Sequence, residues 1–100
     1  MELIELIAVL RGIKKVKYTK KDTGELKEGL ELHCERPPYP NEPFVVGSDV
    51  VFTEYWAITE QNSRNLADSI LNWEIGSKID LIYVQNGRFS NLVDVHLVEG

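Results

Sequence analysis

The chain has 100 residues, 43% of them hydrophobic and 27% charged, which is the composition of an ordinary globular domain and not of a disordered segment. No apolar run reaches the roughly 18 residues that cross a membrane, and the apolar start carries Glu2 and Glu5 instead of the positive charge of a signal peptide. We therefore expect one cytoplasmic domain over residues 1–100 without a membrane partner. Cys34 is the only cysteine, which excludes an internal disulfide.

The charge is unevenly distributed along the chain. The net charge is −5, but residues 11–27 hold seven basic and two acidic residues and sum to +5, against −10 for the rest. Such a segment can attract phosphate on an acidic protein, because screening limits the reach of each charge to about 10 Å. Lysines also discourage edge-to-edge pairing of a surface hairpin. Both interpretations stay open at this point.

The first third of the chain predicts a β-hairpin. Residues 3–19 favour one long strand with a kink at Gly12, where an isolated glycine is typical of a bulge. Residues 20–25 have turn chemistry, and a second strand follows over 26–35, with Gly29 as another predicted bulge.

The middle of the chain predicts a loop, a strand and the only helix. All four prolines fall in residues 36–43, which we interpret as an extended surface loop. Residues 44–58 favour a strand and 59–73 a helix, with its body at 60–72 and a cap at Thr59 or Ser63. Its apolar stripe, which predicts packing against the sheet, comprises Leu66, Ala67, Ile70 and Leu71.

The last quarter predicts a second hairpin. Residues 78–85 and 88–98 alternate, and Asn86-Gly87 between them favours a two-residue type I′ turn. The order is three strands, a helix and two strands. It predicts an all-β fold with one helix, arranged as a closed or nearly closed five-stranded OB-like barrel, with an SH3-like barrel as the alternative.

Signatures of catalysis are missing. His33 and His96 lack the spacing of a metal site, and adjacent His33 and Cys34 point to opposite faces of a strand. No glycine-rich phosphate loop is present. We expect no enzyme activity, metal, cofactor or small-molecule substrate.

A basic hairpin with aromatic residues is typical of single-strand binding, in which cationic grooves hold phosphates and bases stack on rings. The candidate rings are Tyr18, Phe52, Tyr55, Trp56, Tyr83 and Phe89. Most aromatic residues of a small barrel belong to its core. On the third strand, alternation separates Phe52 and Trp56 from Tyr55, and we favour Tyr55 as the exposed ring because its hydroxyl tolerates water.

Three stretches carry a resemblance to a known family: residues 12–19 (GIKKVKYT), the following KKDTG, and residues 29–34 (GLELHC). Together with residues 75–88 at the end of the chain, they resemble the filamentous-phage gene V-like single-stranded DNA-binding proteins of phage and conjugative elements. The resemblance covers roughly residues 10–35 and 74–98. It implies an OB-like fold, a homodimer, and a role in DNA replication as a coat on single strands.

The resemblance also implies roles for individual residues. Lys15, Lys17 and Arg88 would meet phosphates, and Tyr18 and Tyr83 would stack on bases. With the other lysines of the turn and the exposed ring of the third strand, the predicted nucleic-acid-binding residues are Lys15, Lys17, Tyr18, Lys20, Lys21, Tyr55, Tyr83 and Arg88. The helix at 60–72 and the acidic overall charge depart from the family pattern.

Two functions follow as hypotheses. The first is a sequence-independent single-stranded DNA-binding protein. The second is a protein-interaction module, in which the proline-rich loop and the acidic surface of a small barrel meet another protein. Residues 3–10 are apolar on both faces, which predicts that they are buried and favours a homodimer.

Overall fold

The structure, a computed structural model, describes residues 2–37 and 50–98. Five strands and one helix lie in these ranges: β1 (Glu2–Thr19), β2 (Leu26–Arg36), β3 (Val50–Ile58), α1 (Gln61–Ile70), β4 (Lys78–Asn86) and β5 (Phe89–Leu97). The prediction of a mostly β protein with one helix is confirmed. Residues 38–43 of the predicted proline-rich loop and residues 44–49 of the predicted third strand lie outside the described ranges.

All five strands form one antiparallel sheet in the order β3-β2-β1-β4-β5. The long strand β1 serves both halves of this sheet. Glu2–Val9 pairs with β4, and Val9–Thr19 pairs with β2. The register with β2 shifts between Leu10 and Gly12, so the bulge predicted at Gly12 is confirmed.

The predicted closure of the barrel is not found, because the sheet stays open between β3 and β5. These edge strands approach to within 8 Å between Cα atoms but form no ladder in the described residues. A cleft of about 480 Å³ lies there, lined by the end of β3, the first turn of α1 and the middle of β5. Alternation along a strand indicates which side chains lie on each face of the sheet, but not which strand pairs with its edge. The sequence pattern therefore could not show whether β3 and β5 pair and close the barrel.

The core lies on the inner face of the curved sheet, with α1 packed against it. Ala67 and Ile70 of the predicted helical stripe are 1% and 0% exposed, which confirms the packing. The helix is shorter than predicted, and its N-cap is Glu60, not Thr59 or Ser63. The Ser63 hydroxyl accepts from the Glu60 N–H at 2.9 Å. The predicted cap residue therefore acts from the first turn, as the N3 partner of a capping box.

The last hairpin has a two-residue turn, but one position later than predicted. Asn86 pairs with Phe89, so the central residues are Gly87 and Arg88. Gly87 has φ +59°, and no non-glycine residue of the described chain has positive φ. A type I′ turn is therefore wrong, because it needs positive φ at both central residues, and positive φ at the first alone is typical of type II′.

Gly29 sits in regular pairing with Val16 and Ala57, so the bulge predicted there is wrong. No helix of the described ranges is long and apolar enough to span a membrane.

Candidate nucleic-acid interface

The β1–β2 hairpin carries side chains on two faces, which the pairing partners identify. Ile13 lies opposite Leu32 and Lys15 opposite Leu30, and both leucines are fully buried. Directly opposed residues of antiparallel strands share a face. The odd-numbered residues of β1 beyond the bulge therefore lie on the inner face, toward the core. The outer face of this part of β1 carries Lys14, Val16 and Tyr18.

Two tyrosines lie near each other on the outer face. Tyr18 is opposite Lys27, and Tyr55 of β3 is opposite Glu31 of β2. The Tyr55 ring covers Gly29 and so leans toward Tyr18. Partial burial against the hairpin, with Tyr18 nearby, raises the pKa of the Tyr55 phenol. The two rings are 49% and 41% exposed, which leaves room for a planar ligand on each.

Five lysines around this hairpin make no ion pair with any residue of the described ranges: Lys14, Lys15, Lys17, Lys20 and Lys21. Three nearby carboxylates are engaged elsewhere: Glu28 with Arg64, Glu31 with His33 at 2.9 Å, and Glu25 with Lys27 at 3.0 Å. The lysines therefore keep their charge available for a ligand, and the hairpin is the cationic end of an otherwise acidic chain.

The tip of the hairpin holds two of these lysines. The Lys20 N–H donates to the Glu25 carbonyl at 2.9 Å, and the Gly24 N–H donates to the Lys20 carbonyl at 2.9 Å. Gly24 has φ +70°, a conformation that glycine adopts readily, and it lies in the turn predicted over residues 20–25. These two hydrogen bonds fix the backbone of Lys20, and the side chains of Lys20 and Lys21 are exposed.

Lys15 and Lys17 lie on the other side of the sheet from the two tyrosines. Together with Arg64 and Asp68 of α1, they line a cleft of about 280 Å³. The predicted phosphate-binding lysines and the predicted stacking ring Tyr18 are thus neighbours along the chain but face opposite ways.

Tyr83 and Arg88 do not join the other predicted residues. Tyr83 is 9% exposed within the core, and its hydroxyl donates to the Glu54 carboxylate at 2.9 Å. Its ring therefore packs with protein and not with a base. Arg88 is in the β4–β5 turn, at the end of β4 where Gln85 pairs with Glu2, which is the far end of β1 from the hairpin tip.

Sequence reasoning missed two members of the outer face, Lys14 and Lys27. Lys14 shares its face with Val16, and an apolar neighbour on the same face favours partial burial. The cross-strand partners show which lysine lies on the outer face. Lys15 is opposite the buried Leu30, whereas Lys14 is opposite the half-buried Glu31. The signal available in the sequence was Ile13, which continues the core face beyond the bulge, although Val16 on the other face is also apolar.

The described residues contain no group of three or more His, Cys, Asp or Glu side chains placed to hold a metal ion. Cys34 is fully buried, and this burial, with a contribution from the Glu54 carboxylate, raises the pKa of its thiol to about 12. The thiol is therefore protonated at neutral pH and is a poor nucleophile.

The chain was also compared with known proteins. No model of a protein family, no curated protein and no solved structure matches it.

Proposed function

We propose that this protein binds single-stranded DNA without sequence preference through the outer face of its β1–β2 hairpin. The observation that carries the proposal is the pair of half-exposed rings, Tyr18 and Tyr55, beside lysines that have no carboxylate partner in the described chain. Rings bind any base by its π-face, and lysines bind the backbone, so the arrangement favours a single strand over a particular sequence.

The strand arrangement supports the same function. A long, bent β1 that pairs with both β2 and β4, and a helix between β3 and β4, suit an OB-like fold, whose barrel is often partly open. In OB folds, the face of strands 2 and 3 and the loop between strands 1 and 2 contact oligonucleotides. Here those elements carry Tyr55, Lys27, Lys20 and Lys21. The setting implied by the resemblance is replication of a phage or conjugative element in the cytoplasm.

Fluorescence anisotropy with a labelled oligonucleotide of about 16 deoxythymidines tests the proposal, because OB folds cover up to about 16 nucleotides. We expect the Tyr18→Ala change to weaken binding by about 1 to 3 kcal/mol without changing the dependence on salt, because stacking releases no counterions. Lys14→Ala should lower the slope of log affinity against log salt by about 0.7.

The matched controls are Phe89→Ala and Lys78→Ala. Phe89 is 74% exposed at the start of β5, at the far end of the sheet from the hairpin tip. Lys78 is exposed, makes no ion pair in the described chain, and pairs with Val9, on the other side of the bulge from Lys14. Neither change should affect affinity. If the unmodified protein does not bind below about 100 μM at about 50 mM salt, the proposal fails.

A second candidate, a protein-interaction module, is favoured by apolar side chains on the outer face of the other half of the sheet. Leu3 and Ile7 of β1 are 70% and 47% exposed, and Phe89 is 74% exposed. Val84 lies opposite Leu3, which extends the apolar surface onto β4. A surface of this kind suits a second copy of the chain, as the homodimer hypothesis requires. Light scattering across a salt series tests for this self-association, since apolar association does not weaken with salt.

A further inference from the structure

A second cationic surface lies behind the first, on the inner face of the hairpin. It is the cleft of about 280 Å³ between β1, β2 and α1, close to the lower end of the volumes of small-molecule sites. Lys15 and Lys17 enter it from β1, and Arg64 and Asp68 from α1.

The cleft lysines have no carboxylate partner, for an identifiable reason. Glu28 is the residue directly opposite Lys17, but its carboxylate is bonded to Arg64. Asp68 makes no ion pair with either lysine. The cleft is lined by three cationic side chains, Lys15, Lys17 and Arg64, and by two carboxylates, Glu28 and Asp68. Because Glu28 is paired with Arg64, the two lysines outnumber the one remaining carboxylate, which leaves the cleft attractive to an added anion.

The inside of the cleft is apolar. Leu30 and Ala67, which are 1% exposed, form its floor with the partly buried Ile58. Leu71 at its margin is 37% exposed. Cations at the mouth and an apolar floor match a ligand with a phosphate at one end and a flat ring at the other, which is the chemistry of a nucleotide.

An open strand edge joins the outer face to this cleft. Beyond the bulge, residues Gly12 to Thr19 of β1 pair with β2 alone, since pairing with β4 ends at Val9. Lysines alternate along this edge, with Lys14 outward and Lys15 and Lys17 inward. A phosphate backbone that crosses the edge would meet a cation on each side of it.

We propose that a single strand bound on the Tyr18 and Tyr55 rings passes round this open edge of β1 and places a nucleotide in the inner cleft, with its phosphate between Lys15 and Lys17. This path rests on the proposed function. It also gives the helix a role, since α1 forms the second wall of the cleft.

The path predicts that the inner lysines act only on strands long enough to reach them. The test compares oligonucleotides of about 4 and about 16 deoxythymidines, which span the site sizes of OB folds. With the Lys15→Ala, Lys17→Ala double variant, the slope of log affinity against log salt should fall by about 1.4 on the long strand and stay unchanged on the short one. Tyr18→Ala should weaken the binding of both lengths, and Lys78→Ala should affect neither.

The outcomes separate the path from the function. The path is overturned if the double variant lowers the slope equally on both lengths of strand. It is also overturned if the double variant lowers the slope on neither length while Tyr18→Ala still weakens binding. Both results leave the proposed function standing. If the unmodified protein fails to bind the long strand, the proposed function is overturned and the path falls with it. Thermal unfolding of the double variant should match the unmodified protein, because both lysines are exposed.

Discussion

The two halves of β1 belong to one strand but pair with different strands and expose different side chains. The first half, Glu2–Val9, pairs with β4, carries Glu2 and Glu5, and exposes Leu3 and Ile7. The second half, beyond the bulge, pairs with β2 and exposes lysines around Tyr18. Because strand geometry is the same in both, the difference shows that the candidate site comes from the side chains placed on the fold and not from the fold itself.

Beneath these surfaces the two halves share one core. Leu81 of β4 lies opposite Leu6 of the first half, and Leu32 of β2 lies opposite Ile13 of the second. Both Leu81 and Leu32 are 0% exposed and belong to one cluster of buried side chains. The halves should therefore unfold together although their surfaces differ.

Substitutions of buried leucines should have the greatest effect on stability, and they test whether the two halves share one core. Leu32→Ala and Leu81→Ala should each lower the free energy of unfolding by about 2 to 5 kcal/mol, because each leaves a cavity in a packed interior. Leu3→Ala, at a 70% exposed position, is the matched control and should change it by less than about 0.5 kcal/mol. Urea unfolding measures all three. Two separate unfolding transitions, or a small cost at only one of the two core positions, would contradict a single core.

The next prediction compares Gly12, at the bulge of β1, with Gly29 of β2, which pairs with the second half of β1. A Cβ at Gly29 would lie 2.5 Å from the Trp56 carbonyl oxygen and would also collide with the Tyr55 ring, whereas a Cβ at Gly12 would meet nothing closer than 3.8 Å. Gly29→Ala should therefore cost about 1 to 3 kcal/mol of stability by overpacking.

Gly12→Ala is the control for this change. Its φ is not positive, so alanine should leave stability unchanged or raise it by up to about 1 kcal/mol. Thermal unfolding distinguishes the two variants. Equal tolerance at both positions would contradict the close approach of Tyr55 to the hairpin, and with it the geometry of the two rings.

Burial of the Cys34 thiol should make the free energy of unfolding depend on pH in alkaline solution. The pKa of the Cys34 thiol is raised to about 12 in the folded chain, whereas an unfolded thiol titrates near 8.5. Between these values the unfolded state holds fewer protons than the folded state, so stability falls as the pH rises from about 9 to about 12. Below pH 8 the contribution is fully present.

Cys34→Ala isolates this contribution, since it removes the thiol and keeps every other ionisable group of the chain. The stability difference between the unmodified protein and this variant should shrink from about pH 8 to about pH 10. Urea unfolding at both values measures it, and a difference that does not change with pH would mean that the thiol is not buried.

Much of the fold was predictable because it depends on local patterns. Alternation located all five strands at least in part, and Gly12 marked the bulge where β1 changes partners. The last turn was one residue off because Gly87 alone takes positive φ, and either a type I′ or a type II′ turn can satisfy one glycine. Closure of the sheet depends on contacts between distant strands, which no local pattern contains.

The candidate site was less predictable than the fold. Alternation separated Lys14 and Tyr18 from Lys15 and Lys17, but it did not say which face is inside, since that depends on the buried leucines of β2. The position of Tyr83 near a turn predicted an exposed ring. In the structure its hydroxyl donates to the carboxylate of Glu54, which is 29 residues away in the chain. These assignments follow from tertiary packing, which a single strand does not specify.

Nuclear magnetic resonance can show directly which half of β1 binds a single strand. Amide chemical shifts of the ¹⁵N-labelled protein are followed during titration with an oligonucleotide of about 16 deoxythymidines. We expect the amide shifts of Lys14, Tyr18, Lys27 and Tyr55 to change, and those of Leu3 and Ile7 to stay unchanged. Perturbations confined to Leu3, Ile7 and their β4 neighbours, or none at all, would contradict it.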